Sequence, residues 1–394
     1  MKVLDRFLKY VKFDTTSDSQ SEVYPSTQSQ VEFLNELANE IKDFGCAVEF
    51  DGKYVIASLP KTESKTTIAF IAHVDTSPAV SGKDVNPIIT HYEGGDLVLP
   101  YTVIDKNDLK NFVGEDIITS DGKTLLGADD KAGVAEIMTA VQEFIVTNNL
   151  ERCNVKVVFT PDEEIGRGTE QLDVASIGAD YAYTIDGGVL GEVEYENFNA
   201  CSVNLVVNGR NIHPGAGFNA MKNAIDVFAE FHACFPKEQR PVTTKDYDGF
   251  YMFESMSGDV EKVTAHIIVR DHDKQKFSDK KNFVACVVKQ INEKYGENTI
   301  VADIKDSYYN MKEVISQHYH LVENAYTAFE ECGVKPCSRP IRGGTDGAWL
   351  SLKGLPCPNL STGGVNFHAK EEFIPVSSLE KMVEVIVKIA KLYK

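Results

Sequence analysis

Apolar positions along the chain fall into two textures. In the first half, the stretches "TTIAFIAHVD" (66–75), "NVKVVFTPDEE" (154–164) and "DYAYTID" (180–186) open as near-continuous apolar runs, the pattern of strands buried on both faces. Between them Val134, Ile137, Met138, Val141, Phe144 and Ile145 recur at helical spacing. Strands of this kind alternating with amphipathic helices predict α/β architecture. From about residue 197 the texture changes. "ACSVNLVVNG" alternates like a strand, "NAMKNAIDVFAEFHACF" reads as a helix, "VTAHIIVRDHD" as another strand, and "DKKNFVACVVKQINEKYG" as a helix stopped by glycine. That order predicts a small two-layer α+β unit.

The chain then returns to strand-and-loop text in "PCPNLSTGGVNFHAKEEF" and closes with a helix carrying Leu379, Met382, Val383, Ile386 and Ile389. A capping box from Ser377 to Glu380 is expected to open it. At the other end "MKVLDRFLKYVKFD" predicts an amphipathic helix with Leu4, Phe7, Leu8 and Val11 on its apolar face. The expected organisation is one domain from 1–197 and 311–394 and an inserted domain over 198–310. No internal repeat, low-complexity tract or long linker interrupts it.

Composition narrows this picture. At 394 residues the chain exceeds one ordinary core. Forty Lys and Arg against 59 Asp and Glu give a net charge of -19, which repels nucleic acid and anionic membrane, so neither is expected as a partner. The eight cysteines form no CxxC pair, and runs such as "FHACF" and "NFVACVV" read as reduced core positions. No signal-peptide pattern and no membrane-length apolar stretch is read in the chain. Cytoplasm is the expected address.

The acids change the picture most. His73 and Asp75 stand at the exit of the first apolar run, Asp129 and Asp130 in "GADDKAG" precede a helix, Glu163 and Glu164 follow the second run, and Asp186 ends the third. In an open α/β sheet that strand edge is where ligands bind. So many carboxylates cannot all stay ionised at close range without cations. Oxygen-rich ligation with one or two imidazoles suits zinc, manganese or cobalt, and a bridging carboxylate between ions about 3.5 to 4 Å apart is the geometry of hydrolytic two-metal sites. Neighbouring Glu163 and Glu164 are expected to point apart in an extended segment, one ligating and the other taking a proton from water. His368, after a glycine-rich turn, is the better candidate for the remaining imidazole. His91, His232, His266 and His272 lack an acidic strand-end setting, and His318 and His320 do not share a helix face.

Ten segments in order, among them "PSTQSQ", "HVDTSP", "TLLGADDKAGVAEIMTA", "FTPDEEIGRG", "TIDGG", "NIHPGAG", "IIVRDHD" and "PIRGGTDGA", resemble the di-zinc metallopeptidase family that includes tripeptide aminopeptidases, carboxypeptidase G, aminoacylase and succinyl-diaminopimelate desuccinylase. The resemblance runs almost end to end. It implies a zinc-peptidase-like α/β domain with a mixed sheet flanked by helices, plus an inserted α+β domain of four strands and two helices acting as lid or dimerisation unit.

It further implies two divalent ions per subunit, zinc in the family. Asp129 would bridge them, His73 and Asp186 would complete one ion, and Glu164 and His368 the other. Glu163 would be the general base and Asp75 the acid that orients His73. Members often have a cis peptide between the paired acids. His213 would stabilise the oxyanion, Arg270 would pair with the peptide C-terminus, Gly343 and Gly344 would bring backbone to the substrate, and Asp346 would receive the α-amine.

The activity implied is release of the N-terminal residue from tripeptides, with homodimerisation through the inserted domain. The alternatives are a metal-dependent amidohydrolase or carboxypeptidase acting on acylated amino acids or dipeptides, separated by the need for a free α-amine, and a ligand-binding protein that has lost the chemistry. A retained Glu163 argues against the last.

Overall fold

The computed structural model of the chain describes residues 1–148 and 150–394. They form two compact units, one of Met1–Tyr195, Glu313–Arg339 and Thr345–Lys394, the other of Glu196–Lys312 and Pro340–Gly344.

In the first unit a seven-stranded mixed sheet runs, in spatial order, Ala47–Phe50, Val55–Ser58, Asn154–Thr160, Thr67–His73, Tyr181–Gly187, Asn359–Ser361 and Val193–Glu194. The apolar runs form its centre because they have no face to give to water: Phe70, Ile71, Val157, Val158, Phe159, Tyr183 and Ile185 are all buried. Parallel pairing aligns the strand ends. His73 lies opposite Thr160 and Ile71 opposite Thr184, so residues just beyond each strand emerge at one edge.

The helix Ala128–Val146 packs on strand Thr67–His73 and on the closing helix Val376–Leu392. Its approach to the sheet requires Gly133, where a Cβ would stand 2.0 Å from the carbonyl oxygen of Ile185. That accounts for the second glycine of "GADDKAG" as packing.

The second unit is a four-stranded antiparallel sheet ordered Phe250–Gly258, Lys262–Asp271, Asn199–Asn208 and Ile300–Tyr308. Val203, Leu205, Ile267 and Val269 on the sheet form one core with Phe228 and Phe231 of helix Ala224–Ala233 and with Phe277 and Val284 of helix Lys274–Tyr295. No helix of the described residues is long and apolar enough to cross a membrane.

Several local expectations are corrected. The closing helix begins at Val376 behind Pro375, which makes no side-chain cap, so Ser377 lies inside the helix. The first helix, Val3–Tyr10, buries Val3, Arg6, Phe7 and Tyr10 while Leu4 and Leu8 stay partly exposed. Phe7 and, just past the helix, Val11 are buried as expected, and Arg6 shares the buried face, with Glu40 Oε1 2.7 Å away. Residues 219–223 stay outside the helix expected there, which starts at Ala224 behind the N-cap Asn223. All eight cysteines are free, but Cys234, Cys286 and Cys337 are exposed, since their helix or loop turns the other side to the core.

Candidate active site

The first unit brings its strand-end acids together. His73 Nε2 lies 2.9 Å from Asp129 Oδ1 and 3.3 Å from Asp186 Oδ1, and its Nδ1 is 3.2 Å from Asp75 Oδ1. On the other side of Asp129, His368 Nε2 is 3.1 Å from Asp129 Oδ2 and 2.9 Å from Glu164 Oε2. Asp129 therefore stands between two imidazoles, one oxygen toward each.

Its neighbour is differently occupied. Asp130 Oδ2 accepts from the backbone N–H of His73 at 3.1 Å and Oδ1 from that of Gly133 at 3.2 Å, so it ties helix to strand. The peptide between the two aspartates is cis. Two groups of side chains are close enough to share an ion, His73 with Asp129 and Glu164, and His73 with Asp130 and Asp186. In the second group both Asp130 oxygens already accept backbone protons, so Asp129 is the better donor on geometry.

Glu163 and Glu164 lie in a 3-10 turn, Glu163–Ile165, not in the extended segment expected. Asp75 holds this turn: Oδ1 accepts from Glu163 N at 3.0 Å and Oδ2 from Glu164 N at 3.2 Å. Asp75 thus grips His73 and the glutamate pair at once.

The electrostatics follow from packing carboxylates together at a largely desolvated edge. Burial, reinforced by the charge of Asp186, pushes Glu163 well above the ordinary carboxylate range. Burial and Asp129 raise Glu164 to about 7. Burial also raises Asp186 and Asp130. Burial opposes ionisation of Asp129 as well, yet hydrogen bonds from His368 and His73 hold it below its usual value. His368, bonded to Asp129 and Glu164, is raised to about 10.

One atom in this cluster is orphaned: Glu164 Oε1 is buried without a hydrogen-bond partner. Buried carboxylate oxygens are costly when unpaired. Two imidazoles, at least three convergent carboxylates and an orphaned oxygen fit a divalent cation pair better than they fit protons alone.

Three supporting groups escaped the sequence reading. Glu372 accepts from the backbone N–H groups of Leu126 at 2.7 Å, Gly127 at 2.8 Å and Asp129 at 3.1 Å, and so holds the loop carrying Asp129. Burial raises it to about 7. Gln30 and Asp162 brace the glutamate turn. The only local hints were a second acid in "HAKEEF" and a buried polar pair in "PSTQSQ" and "PDEE", none of which forms a pattern by itself.

Asp346 also belongs to the first unit. Buried, it accepts from Thr160 Oγ1 at 2.7 Å and packs so tightly on Gly168 that a Cβ there would meet it at 2.2 Å. Burial raises it to about 7.

The remaining predicted residues lie in the second unit. His213 is exposed, with Nδ1 accepting from Gly215 N at 3.1 Å. Arg270 donates through Nη1 to the carbonyl of Arg342 at 2.9 Å while its Nε stays buried without a partner. Gly343 has open space where a Cβ would stand, and Gly344 lies against the ring of Tyr308. His91 pairs with Asp116 and His266 with Glu254, both at 2.8 Å in exposed settings. His318 ends a 3-10 turn just before the helix that starts at His320.

Residues 118–392 match the model of peptidase family M20/M25/M40. The chain belongs to that family. Among M20/M25/M40 relatives, the peptidase T of Caldanaerobacter subterraneus is 51% identical over 403 positions, covering 100% of this chain and 98% of that one. Two solved structures share the fold. The aminopeptidase PepT of Bacillus cereus has a TM-score of 0.78 at 24% identity, covering 99% of this chain and 98% of that one. A tripeptidase of Staphylococcus aureus has a TM-score of 0.80 at 20% identity, covering 99% and 97%.

Proposed function

We propose that the protein is a metal-dependent aminopeptidase that releases the N-terminal residue of tripeptides. The observation that carries this reading is Asp129 standing between His73 and His368, with Asp186 and Glu164 completing the two sides. His73 and Asp186 would hold one divalent ion, Glu164 and His368 the other, and Asp129 both. Zinc suits this donor set. When bound, the two ions acidify a water and polarise the peptide carbonyl.

The chain's own groups do the rest. Glu163, half-buried beside the cluster and pushed up by desolvation, is the base that takes the proton of the attacking water and returns it to the departing amine. Asp75 orients both His73 and the glutamate turn. His213 would donate to the oxyanion of the tetrahedral intermediate. Arg270, with an unpartnered Nε, suits the C-terminal carboxylate of a short peptide. Asp346 and the backbone at Gly343 and Gly344 are assigned to the substrate's amino end and main chain on the strength of the resemblance. The domain division 1–197 with 311–394 against 198–310 belongs to the same reading. A cytoplasmic location and a homodimer through the second unit complete it. The edge strands Phe250–Gly258 and Ile300–Tyr308 are where a second copy would pair.

Incubating the zinc-loaded protein with a free tripeptide and its N-acetylated twin, with products identified by mass, tests the activity. Release of the first residue from the free peptide alone is expected. Cleavage of the acetylated twin would move the protein to the amidohydrolase reading with the same site.

A further inference from the structure

Three successive backbone N–H groups in the glutamate turn each find a side-chain acceptor. Asp162 N donates to Gln30 Oε1 at 3.0 Å, Glu163 N to Asp75 Oδ1 at 3.0 Å and Glu164 N to Asp75 Oδ2 at 3.2 Å. The turn is thus gripped from two sides, by Asp75 beyond one strand and by Gln30 in the first turn of the helix Gln28–Asp43.

The Gln30 grip is reciprocal. While its Oε1 accepts from Asp162 N, its Nε2 donates to Asp162 Oδ1 at 2.8 Å, and also lies 3.1 Å from both Ser26 Oγ and Thr27 Oγ1. Asp162 Oδ2 takes the backbone N–H of Ser26 at 2.7 Å, and the Ser26 hydroxyl donates to Oδ1. Gln30 and Asp162 are both fully buried. Asp162 also sits in the left-handed region, φ 55°, where aspartate, asparagine and glycine are tolerated.

We propose that Gln30 and Asp162 are positioning residues for the reaction, setting where Glu163 and Glu164 stand relative to His73 and Asp129. The proposal rests on the roles given above to the two glutamates. The amide at position 30 accepts from one partner and donates to the other at once. A carboxylate there accepts from Asp162 N but faces the Asp162 carboxylate with no proton to offer. A small displacement of a base or ligand is enough to cost turnover, since reacting groups must be held close to their productive geometry.

The test is a polarity swap. Gln30→Glu should lower kcat by about 10- to 100-fold and weaken one of the two metal ions by about 10-fold in chelator competition. KM should stay within about three-fold, because the substrate contacts are elsewhere. Gln30→Glu combined with Asp162→Asn restores a donor facing an acceptor and should recover most of both losses. Asp162→Gly keeps the left-handed backbone without the carboxylate and should resemble the single Gln30 variant, which separates the carboxylate's role from that of backbone shape.

Single variants with kcat and metal affinity within about two-fold of the parent would overturn the proposal. So would a double variant no better than Gln30→Glu, or losses that follow the folded fraction in thermal melts. If the parent itself fails to cleave tripeptides, the functional reading falls, while the metal-affinity arm still decides the role of this pair.

Discussion

In the second unit acids meet lysines of the same unit, at the surface where Lys281 lies 2.7 Å from Asp306 and Lys294 2.7 Å from Glu230, and buried where Lys280 lies 3.6 Å from Asp271. In the first unit the carboxylates of Asp129, Glu163, Glu164 and Asp186 crowd one strand edge, and the imidazoles of His73 and His368 touch Asp129, Asp186 and Glu164. Surface pairs are solvated with or without their partners, so little depends on them. A buried acid cluster depends on what neutralises it. The difference teaches that the first unit carries a standing demand for external cations, which the second does not.

The sharpest way to break this contrast is at Glu163. Glu163→Gln should keep metal content at the parent's level while kcat falls by about 100-fold or more. Metal analysis beside steady-state rates checks it, and near-normal turnover would remove Glu163 from the role of base.

Metal removal probes the demand itself. Saturating zinc should raise the stability of the metal-free protein by about 2.7 kcal/mol per site at a hundred-fold excess over Kd. The metal-free form should also respond to pH in a defined sense. Glu164 and Asp346 are raised to about 7 by burial, so between the ordinary carboxylate range and pH 7 the folded state binds more protons than the unfolded one. Stability therefore falls as pH rises through that window. Melting temperatures in a pH series, with and without zinc, should show the fall and its suppression by metal. A metal-free melt that climbs over the same window would contradict the acid-cluster picture.

In the second unit the largest expected effect is on substrate binding. Arg270→Ala should raise KM about 10-fold or more for peptides with a free C-terminus. Equal losses on C-amidated peptides would show that the guanidinium serves another purpose. At the small end, Lys281→Ala should change stability by only about 0.2 to 1 kcal/mol, read as a minor shift in a denaturant midpoint. A loss of several kcal/mol would show that the surface pairs carry more than their solvation suggests.

Much of the frame was legible because it repeats locally. Apolar runs such as "TTIAFIAHVD" have a period and a length, and His73 and Asp186 sit at the ends of such runs. Local pattern failed where a long-range partner prevailed. Arg6 occupies a core-facing position of its helix, where a charged residue gives no apolar signal, and pairs there with Glu40, while exposed Cys234, just past its helix, and Cys286 sit in text whose apolar neighbours face the core.

By itself the sequence determined which strands are buried, that acids leave them at one edge, and which imidazoles stand nearest in kind. Only the tertiary structure decided that Asp130 is spent on backbone, that Asp75 holds two elements at once, that Glu372 supports the Asp129 loop and that Gln30 meets Asp162. Gln30 and Asp162 are 132 positions apart. A hydrogen bond at that separation depends on how two elements dock, and neither residue's neighbours in the chain carry any periodicity that points to the other.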